Sequence, residues 1–182
     1  MCGIVGYIGE KEAYPILIGG LKKLEYRGYD SSGIMLSGKK TFIKKTKGKV
    51  SDLEILYRDE EDKKGNIGLG HTRWATHGPP SKINSHPHVS NSGKLYLIHN
   101  GIIENYDSLK TILTRKGYVF KSETDSEVLV NLIEEVKKSK KIKLGKAVRL
   151  ALKEVVGAYA IAVFDSSNPV SYTHLTLPTS YA

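Results

Sequence analysis

Residues 1–8 read Met-Cys-Gly-Ile-Val-Gly-Tyr-Ile, a short apolar run rich in β-branched side chains. Such a run is typical of a buried β-strand. We therefore predict that the N-terminus is anchored inside the fold. The position matters because the chain has a single cysteine, Cys2, directly after the initiator methionine. A disulfide within the chain is then impossible, and a cysteine-based zinc site is disfavoured.

Beyond this strand, helical and strand patterns mix without the regular βαβ order of a doubly wound sheet. Apolar spacing predicts a helix that carries Leu17, Leu21 and Leu24 and ends near Arg27-Gly28, and a second helix over 105–116. It also predicts a helix that begins at Thr124 and carries apolar residues to Val136, and a last helix over 144–155, with a short helix and a loop within 51–66. It predicts strands over 34–36, 41–45, 67–72, 95–99 and 158–165. No phosphate-binding loop or dinucleotide glycine motif is found. These patterns favour a layered α+β fold.

Local signals fix several boundaries in the second half of the chain. We predict that Asn100-Gly101 closes a strand, and that Asn105 caps the following helix, which stops at Gly117. Residues 124–127 read Thr-Asp-Ser-Glu, which fits a capping box at the start of a helix. The stretch 73–92 is rich in Gly, Pro, Ser and His and is long enough for a loop to indicate function.

The chain carries 28 basic and 19 acidic residues, a net charge of +9. Much of the excess lies in two lysine clusters, at 39–49 in a predicted hairpin and at 137–143 between two predicted helices. Neither cluster has a series of aromatic residues for base stacking, since the first contains Phe42 alone and the second none, and no nucleic-acid-binding motif is found. We therefore interpret both as solvated surface. No apolar run approaches the roughly 18 to 20 residues of a membrane span. We expect a cytoplasmic protein without nucleic-acid or membrane partners.

Cys2 is a candidate nucleophile for cleaving an amide. An amide is a poor electrophile, so its hydrolysis is easier when an acyl group passes first to a nucleophile and then to water. If Met1 is removed, the α-amino group of Cys2, with a typical pKa of about 7.7 to 8.0, can act as the base for its own thiol. The residues on their own do not decide between this role and chance placement.

Four further residues suit the same chemistry, each with a structural alternative. Asn100 and Gly101 can supply a side-chain and a backbone N–H to an oxyanion, although Asn-Gly is also a common turn. Arg73 can hold a carboxylate in a bidentate manner, or it can be a surface arginine. Asp125 can pair with an ammonium group, or it can be stabilised by a helix dipole.

Five motifs together resemble a known family. They are Cys2–Gly6, Leu24–Ser31, His71–Gly78, His99–Asn105 and Ser122–Asp125. In this order they resemble the class II glutamine amidotransferase domain of the glucosamine-6-phosphate synthase family, over residues 1–169. Relatives such as phosphoribosyl-pyrophosphate amidotransferase and asparagine synthetase share the Cys-Gly start. The second and third motifs are closer to the aminosugar enzymes.

The resemblance implies an Ntn-hydrolase fold, a four-layer αββα sandwich that is incomplete at the C-terminus. It implies an amidotransferase domain over 2–169, whereas residues 170–182 do not match the family and the sugar-isomerase domains are absent. Losing later strands would leave apolar faces and sheet edges exposed. An unstable or non-catalytic fragment that at most binds glutamine is therefore the alternative.

Site residues carried over from the resemblance are as follows. Cys2 is the nucleophile, oriented by the Gly28 carbonyl, and Asn100 and Gly101 form the oxyanion hole. The substrate-binding and supporting positions are Arg73 for the glutamine α-carboxylate, Asp125 for its α-amino group, Thr76 and His77 in the pocket wall, Trp74 as a gate for ammonia, and Arg27 as a support.

The implied reaction is hydrolysis of L-glutamine to glutamate and ammonia through a Cys2 thioester. In the full-length enzyme the ammonia would go to fructose 6-phosphate, bound by the isomerase domain, to give glucosamine 6-phosphate, and two copies would form a homodimer. No cofactor is implied. Five histidines fall within 71–99, but no carboxylate or cysteine completes a metal-binding set, so we predict no metal site.

Overall fold

The structure, a computed structural model, describes residues 2–58 and 60–168 of the 182-residue chain. The predicted non-family tail at 170–182 therefore lies outside the described residues. The chain divides into two compact units, Met1–Pro87 and His88–Ala182. Each unit contains an antiparallel β-sheet and packed helices, so the predicted α+β class is confirmed.

The first unit is built on a four-stranded sheet in the order β1-β4-β2-β3. Its strands are β1 (Gly3–Ile8), β2 (Ser31–Ser37), β3 (Thr41–Lys47) and β4 (Ile67–Arg73). Its helices are α1 (Ala13–Leu24), α2 (Val50–Leu56) and the short α3 (Glu60–Lys63), with a 3₁₀ turn at Glu25–Arg27 after α1. The predicted N-terminal strand is confirmed, but the prediction that it is buried is wrong: β1 is the first strand in this sheet order, only Gly3 of it is buried, and Ile8 is 57% exposed.

The core of the first unit forms where α1 and α2 cover one face of this sheet. Leu17 and Leu21, one helical turn apart on α1, are fully buried. They pack in one apolar cluster with Ile34 of β2 and Leu53 of α2. Tyr57, just after α2, is also buried and donates its hydroxyl to the Ile34 carbonyl at 2.8 Å. The i, i+4 spacing that predicted α1 therefore also identifies its buried face.

Lys45 of β3 departs from the prediction that the first lysine cluster is solvated. Its Nζ donates to the carbonyl of Ser85 at 2.6 Å and approaches those of Ile83 and Pro87 at 3.3 and 3.4 Å. A charged donor shared among main-chain carbonyls stabilises a loop that has no ladder of its own. For Lys45 the prediction is wrong, whereas the neighbouring Lys47 is exposed as expected.

The second unit is built on a three-stranded sheet in the order β5-β6-β7. Its strands are β5 (His88–Val89), β6 (Leu95–Ile103) and β7 (Gly157–Asp165). Its helices are α4 (Tyr106–Arg115), α5 (Asp125–Lys140) and α6 (Leu144–Ala151), with a 3₁₀ turn at Leu152–Glu154. The strand β5 was not predicted, because it is two residues long and lies within the loop-like stretch 73–92.

The predicted end of the strand at Asn100-Gly101 is wrong. β6 continues to Ile103 and pairs with β7 along its whole length, with Asn100 opposite Ala160 and Gly101 opposite Tyr159. The alternative interpretation, that Asn100-Gly101 forms a turn, is therefore wrong as well. The local turn preference of Asn-Gly is overridden by pairing with a strand more than fifty residues away.

Three boundary predictions in the second unit need correction. Asn105 precedes α4 but makes no capping bond; its side chain accepts from Val156 N and donates to the Glu154 carbonyl instead. Thr124 does cap α5 through Glu127 N, but the Glu127 carboxylate accepts from residues 121 and 122 rather than from the N-cap. The second lysine cluster lies largely in the last turn of α5 and not in a linker. Its positive charges there interact favourably with the negative end of the helix dipole.

Candidate active site

The Cys2 thiol is held by the backbone of Trp74. The Trp74 N–H donates to Cys2 Sγ at 3.1 Å, and Sγ lies 3.5 Å from the Trp74 carbonyl oxygen, to which the thiol donates. This placement follows from the pairing of β1 with β4, in which Gly3 lies opposite Thr72. A Cβ on Gly3 would come within 2.7 Å of Leu24 and Thr72 side-chain atoms, so glycine lets the two strands and α1 meet closely next to the thiol.

Burial raises the pKa of the Cys2 thiol above its ordinary value, and the hydrogen bond from the Trp74 backbone offsets part of this effect. The neutral thiol is therefore the favoured state at neutral pH. Because the thiolate is the nucleophilic form, a thiol in this environment needs a base to become reactive.

Arg73, the last residue of β4, is only 3% exposed. Its Nη2 donates to the carbonyl of His77, in a short contact, and to that of Gly78 at 3.2 Å. The guanidinium therefore folds the loop after β4 back over itself. Because this guanidinium is buried, the alternative of a surface arginine is excluded.

Trp74 and Gly28 are in contact. Gly28 has φ +74°, and a Cβ there would lie 2.9 Å from the Trp74 ring atom Cζ3. Glycine is therefore required for two reasons, the left-handed backbone and the ring lying against it. Trp74 remains 53% exposed, so its indole lies on the surface of the unit over the end of the 3₁₀ turn.

Asp30 also contacts this segment, although no role for it was predicted. Its backbone N–H donates to the Arg73 carbonyl at 2.8 Å, and its Oδ2 accepts from Ala75 N at 2.6 Å. Its other oxygen accepts from the Ser31 hydroxyl at 3.0 Å. The only sequence signal for Asp30 is its place within the motif Leu24–Ser31.

The remaining predicted residues of the first unit lie around the same loop. Thr76 is exposed and His77 half-buried, and His77 Nδ1 lies 3.4 Å from the Thr76 hydroxyl. Arg27 is exposed, and its guanidinium lies 6.0 Å from the ring centroid of Tyr26. Contacts within the first unit therefore bring Cys2, Gly28, Arg73 and Trp74 together, with Thr76 and His77 on the adjoining loop.

Asn100 and Gly101 lie in β6 of the second unit, where the backbone is distorted. Gly101 has φ +121°, and a Cβ there would lie 2.1 Å from the Ala158 carbonyl oxygen of β7. No other residue type fits this close approach. The backbone at Gly101 is therefore fixed by both its own conformation and its neighbour strand.

Asp125 begins α5 and is only 3% exposed. Its Oδ2 accepts from Ile103 N at 2.9 Å, which ties the start of the helix to the end of β6. Ser126 Oγ donates toward Asp125 Oδ1 at 3.4 Å and lies 2.8 Å from His99 Nδ1, so these three residues form a buried polar cluster that includes the residue before Asn100. A helix-dipole role for Asp125 alone does not account for these bonds.

The histidines do not assemble into a metal-binding set within the described ranges 2–58 and 60–168. His71 and His86 are buried with ring centroids 4.1 Å apart, and His88 Nε2 lies 3.1 Å from the Thr124 hydroxyl. Each of these rings is therefore engaged in packing or hydrogen bonding.

Within residues 2–58 and 60–168, no helix is both long and apolar enough to cross a membrane.

Comparison with known proteins identifies the family of the chain. The family profile described as "Glutamine amidotransferase domain" matches residues 56–172. The chain is 60% identical to a glutamine–fructose-6-phosphate aminotransferase (isomerizing) of Bacteroides thetaiotaomicron and 54% identical to that of Chlorobaculum tepidum, covering 93% of this chain and 28% of each relative. The solved structure of glutamine phosphoribosylpyrophosphate amidotransferase from B. subtilis superposes with a TM-score of 0.76 at 30% identity, over 91% of this chain and 35% of that one.

The chain belongs to the glutamine amidotransferase domain family. It spans about 28% of the length of the curated relatives named above. The resemblance drawn from the five sequence motifs is confirmed, and so is its Ntn-hydrolase amidotransferase fold class.

Proposed function

We propose that this chain hydrolyses L-glutamine to glutamate and ammonia, with Cys2 as the nucleophile. One observation carries the proposal: the chain's single thiol is hydrogen-bonded to both the N–H and the carbonyl of Trp74, the residue directly after the buried Arg73. A thiol with a merely structural role needs no such fixed orientation at a strand end. Membership of the glutamine amidotransferase domain family supports glutamine as the substrate.

In the proposed reaction, Sγ attacks the carboxamide carbon of glutamine while the α-amino group of Cys2 takes the thiol proton. The C–N bond then breaks, and the same proton passes to the leaving nitrogen, which departs as ammonia. Water attacks the resulting thioester, which releases glutamate and restores the thiol. This reaction requires removal of Met1, because the Cys2 nitrogen would otherwise be part of a peptide bond, and an amide nitrogen cannot accept the thiol proton. The raised pKa of the thiol makes that base necessary.

Asn100 and Gly101 would stabilise the oxyanion through the Asn100 side-chain amide and the Gly101 N–H. Support comes from the rigid backbone at Gly101, whose position is limited by the β7 carbonyl. A donor that is fixed before the reaction needs no reorganisation when charge develops. We assign Gly28 the orientation of Cys2 and Arg27 a supporting role, on the resemblance to the family.

Arg73 would bind the α-carboxylate of glutamine and Asp125 its α-ammonium group. Both are charged and almost fully buried, which strengthens a charge-assisted hydrogen bond with a substrate. Thr76 and His77 would line the same pocket, and Trp74, with its exposed ring, would gate the passage of ammonia. Glutamine carries an α-carboxylate and an α-ammonium group at one end and an amide at the end of its side chain, so these residues together would select for it.

We further propose that the ammonia is destined for fructose 6-phosphate in a longer enzyme that makes glucosamine 6-phosphate. The names of the relatives at 60% and 54% identity support this destination. The sugar-binding and isomerase chemistry would then belong to residues outside this chain, with the amidotransferase domain at 2–169. We expect the parent enzyme to be a cytoplasmic homodimer.

The test is release of glutamate from L-glutamine, measured for the wild-type chain, Cys2→Ser and a control, Ser51→Ala, on the exposed face of α2. We expect Cys2→Ser to lose about 10³-fold or more in kcat, and Ser51→Ala to match the wild type. Arg73→Lys should raise KM by at least about tenfold because lysine cannot bind a carboxylate in a bidentate manner. Turnover by Cys2→Ser within tenfold of wild type would contradict the proposal; glutamine binding without any turnover would support the non-catalytic alternative instead.

A further inference from the structure

Asp30 is connected to the Cys2 thiol by two separate routes, each running through one peptide group. In the first route, the Asp30 N–H donates to the Arg73 carbonyl, and the N–H of that same peptide group, which belongs to Trp74, donates to Sγ. In the second route, Sγ donates to the Trp74 carbonyl, and the N–H of that peptide group, which belongs to Ala75, donates to Asp30 Oδ2. Both peptide groups that flank Trp74 are therefore held between Asp30 and the thiol.

This arrangement has a mechanical consequence. A residue at the end of a strand, such as Trp74, has lost its ladder partners and is free to rotate its peptide groups unless other bonds fix them. Asp30 supplies one bond on each side of Trp74, and the bond to Ala75, at 2.6 Å, has the short length of a charge-assisted hydrogen bond. Asp30 itself is fixed because it precedes β2, and Ser31 pairs with Arg73 in the register of β2 and β4.

The arrangement also has an electrical consequence. Hydrogen bonds in a chain polarise one another, so a carboxylate on one side of a peptide group strengthens its carbonyl as an acceptor on the other side. The negative charge of Asp30 contributes to the raised pKa of the Cys2 thiol, after burial, which is the largest cause. Asp30 therefore affects both where the thiol points and how readily it loses its proton.

We propose that Asp30 is a positioning residue for Cys2, which acts through the two peptide groups flanking Trp74 to fix the thiol for attack on glutamine. This inference rests on the proposed function. Asp30 touches neither the reacting atoms nor, in this proposal, the substrate. Its role is distinct from that of Arg73, because Arg73 folds the following loop whereas Asp30 holds the segment that contacts the thiol.

The competing explanation is that Asp30 only stabilises a turn, since it also accepts from Ser31 and its carbonyl accepts from Gly48 N. Asp52 offers a matched control for that explanation. It too is an aspartate of the first unit whose carboxylate accepts a backbone N–H, that of Lys49 at 2.9 Å, but it caps the start of α2. Substitutions at Asp52 therefore carry the structural cost without the connection to Trp74.

The experiment compares Asp30→Asn and Asp30→Ala with Asp52→Asn and Asp52→Ala in the full chain. Because Cys2 is the single cysteine, alkylation by iodoacetamide reports on this thiol alone, and its rate against pH gives an apparent midpoint without any turnover. Intact mass establishes first that all variants have the same N-terminus. Steady-state hydrolysis of glutamine supplies kcat and KM separately.

We expect Asp30→Asn to lower the alkylation midpoint by roughly half a pH unit, since the negative charge is removed while the amide oxygen still accepts from Ala75. Asp30→Ala should lower kcat by about tenfold with little change in KM, and Asp30→Asn should restore most of that loss. Both Asp52 variants should match the wild type in both measurements.

An Asp30→Asn midpoint equal to that of the wild type would overturn the proposal, and so would a wild-type kcat in Asp30→Ala. A wild-type chain that hydrolyses no glutamine would refute the proposed function instead, and the alkylation midpoints would still decide the connection between Asp30 and the thiol. If Asp30→Ala does not fold, the pH midpoint of alkylation in Asp30→Asn still tests the proposal.

Discussion

Substitution of Gly101 by alanine is expected to destabilise the chain by about 3 kcal/mol or more. The new Cβ would lie 2.1 Å from the Ala158 carbonyl oxygen and 2.7 Å from the Tyr159 Cα, both of which are backbone atoms of β7. Contacts shorter than 3.0 Å are essentially never observed for a Cβ, so β7 must move away by about 1 Å. Such a shift lengthens the hydrogen bonds of the β6–β7 ladder, and the φ of +121° adds strain for any residue with a side chain.

Gly117→Ala is the matched control for this prediction. Gly117 also has a positive φ, +89°, but a Cβ there meets nothing within 4 Å. Its substitution should therefore cost only the conformational strain of about 1 kcal/mol. The difference between the two variants isolates the collision with β7, about 2 kcal/mol, or roughly 4 to 8 °C in Tm for a chain of this size.

Urea unfolding followed by far-UV circular dichroism measures both variants, with the free energy of unfolding taken at a common m-value. A difference between Gly101→Ala and Gly117→Ala below about 0.5 kcal/mol would refute the reasoning, because β7 would then yield without cost. It would also remove the structural reason for treating the Gly101 N–H as a rigid oxyanion donor.

Three further predictions concern charged side chains. Lys45→Met should cost about 2 kcal/mol in urea unfolding through lost bonds to loop carbonyls, whereas Lys47→Met, exposed on the same strand, should cost under about 0.5 kcal/mol. Asp125→Asn should raise the KM for glutamine at least about tenfold in the glutaminase assay while the Ile103 N–H keeps an acceptor. Burial opposes ionisation of Asp165, but hydrogen bonds, led by that from Lys137, lower the pKa of Asp165 overall. The Asp165 carboxylate therefore stabilises the fold at pH values above its unfolded pKa of about 3.9, and this stabilisation is lost as the pH falls through the folded pKa. Lys137→Met should therefore reduce the loss of unfolding free energy below about pH 4, as followed by urea titrations at several pH values.

The helices and strands of the first unit were predictable because each has a local signal. Leu17 and Leu21 repeat at helical spacing, and residues 34–36 and 41–43 are apolar, aromatic or β-branched runs on either side of a glycine turn. These patterns act over a few residues, so one sequence is enough to read them. Their ends shifted by one to three residues, as terminal residues commonly do.

The wrong predictions share a different cause. Asn100-Gly101 is a turn by local preference, but pairing with β7 keeps it in a strand, and the partner residues lie more than fifty positions away. Lys45 reads as surface charge, but carbonyls at 83–87 surround its ammonium group. Neither partner could be assigned before the tertiary contacts were known.

The candidate site was predictable in its residues but not in its connections. Cys2, Arg73 and Asp125 follow from the motifs and the chemistry of an amide substrate. The bonds between Cys2 and the Trp74 backbone depend on the register of β1 against β4, which no side-chain pattern specifies. Asp30 was overlooked for the same reason, since it acts on main-chain atoms and leaves no side-chain signature.

The most direct test of the central claim is intact mass and site mapping after treatment with diazo-oxo-norleucine, a glutamine analogue that alkylates the nucleophile. We predict a chain that begins at Cys2, without Met1, and carries one adduct on that residue, together with complete loss of glutamate release. A Cys2→Ser chain under the same conditions should remain unlabelled. Retention of Met1 in an active chain, or an adduct at any other residue, would contradict the claim that Cys2 is the nucleophile with its own amine as base.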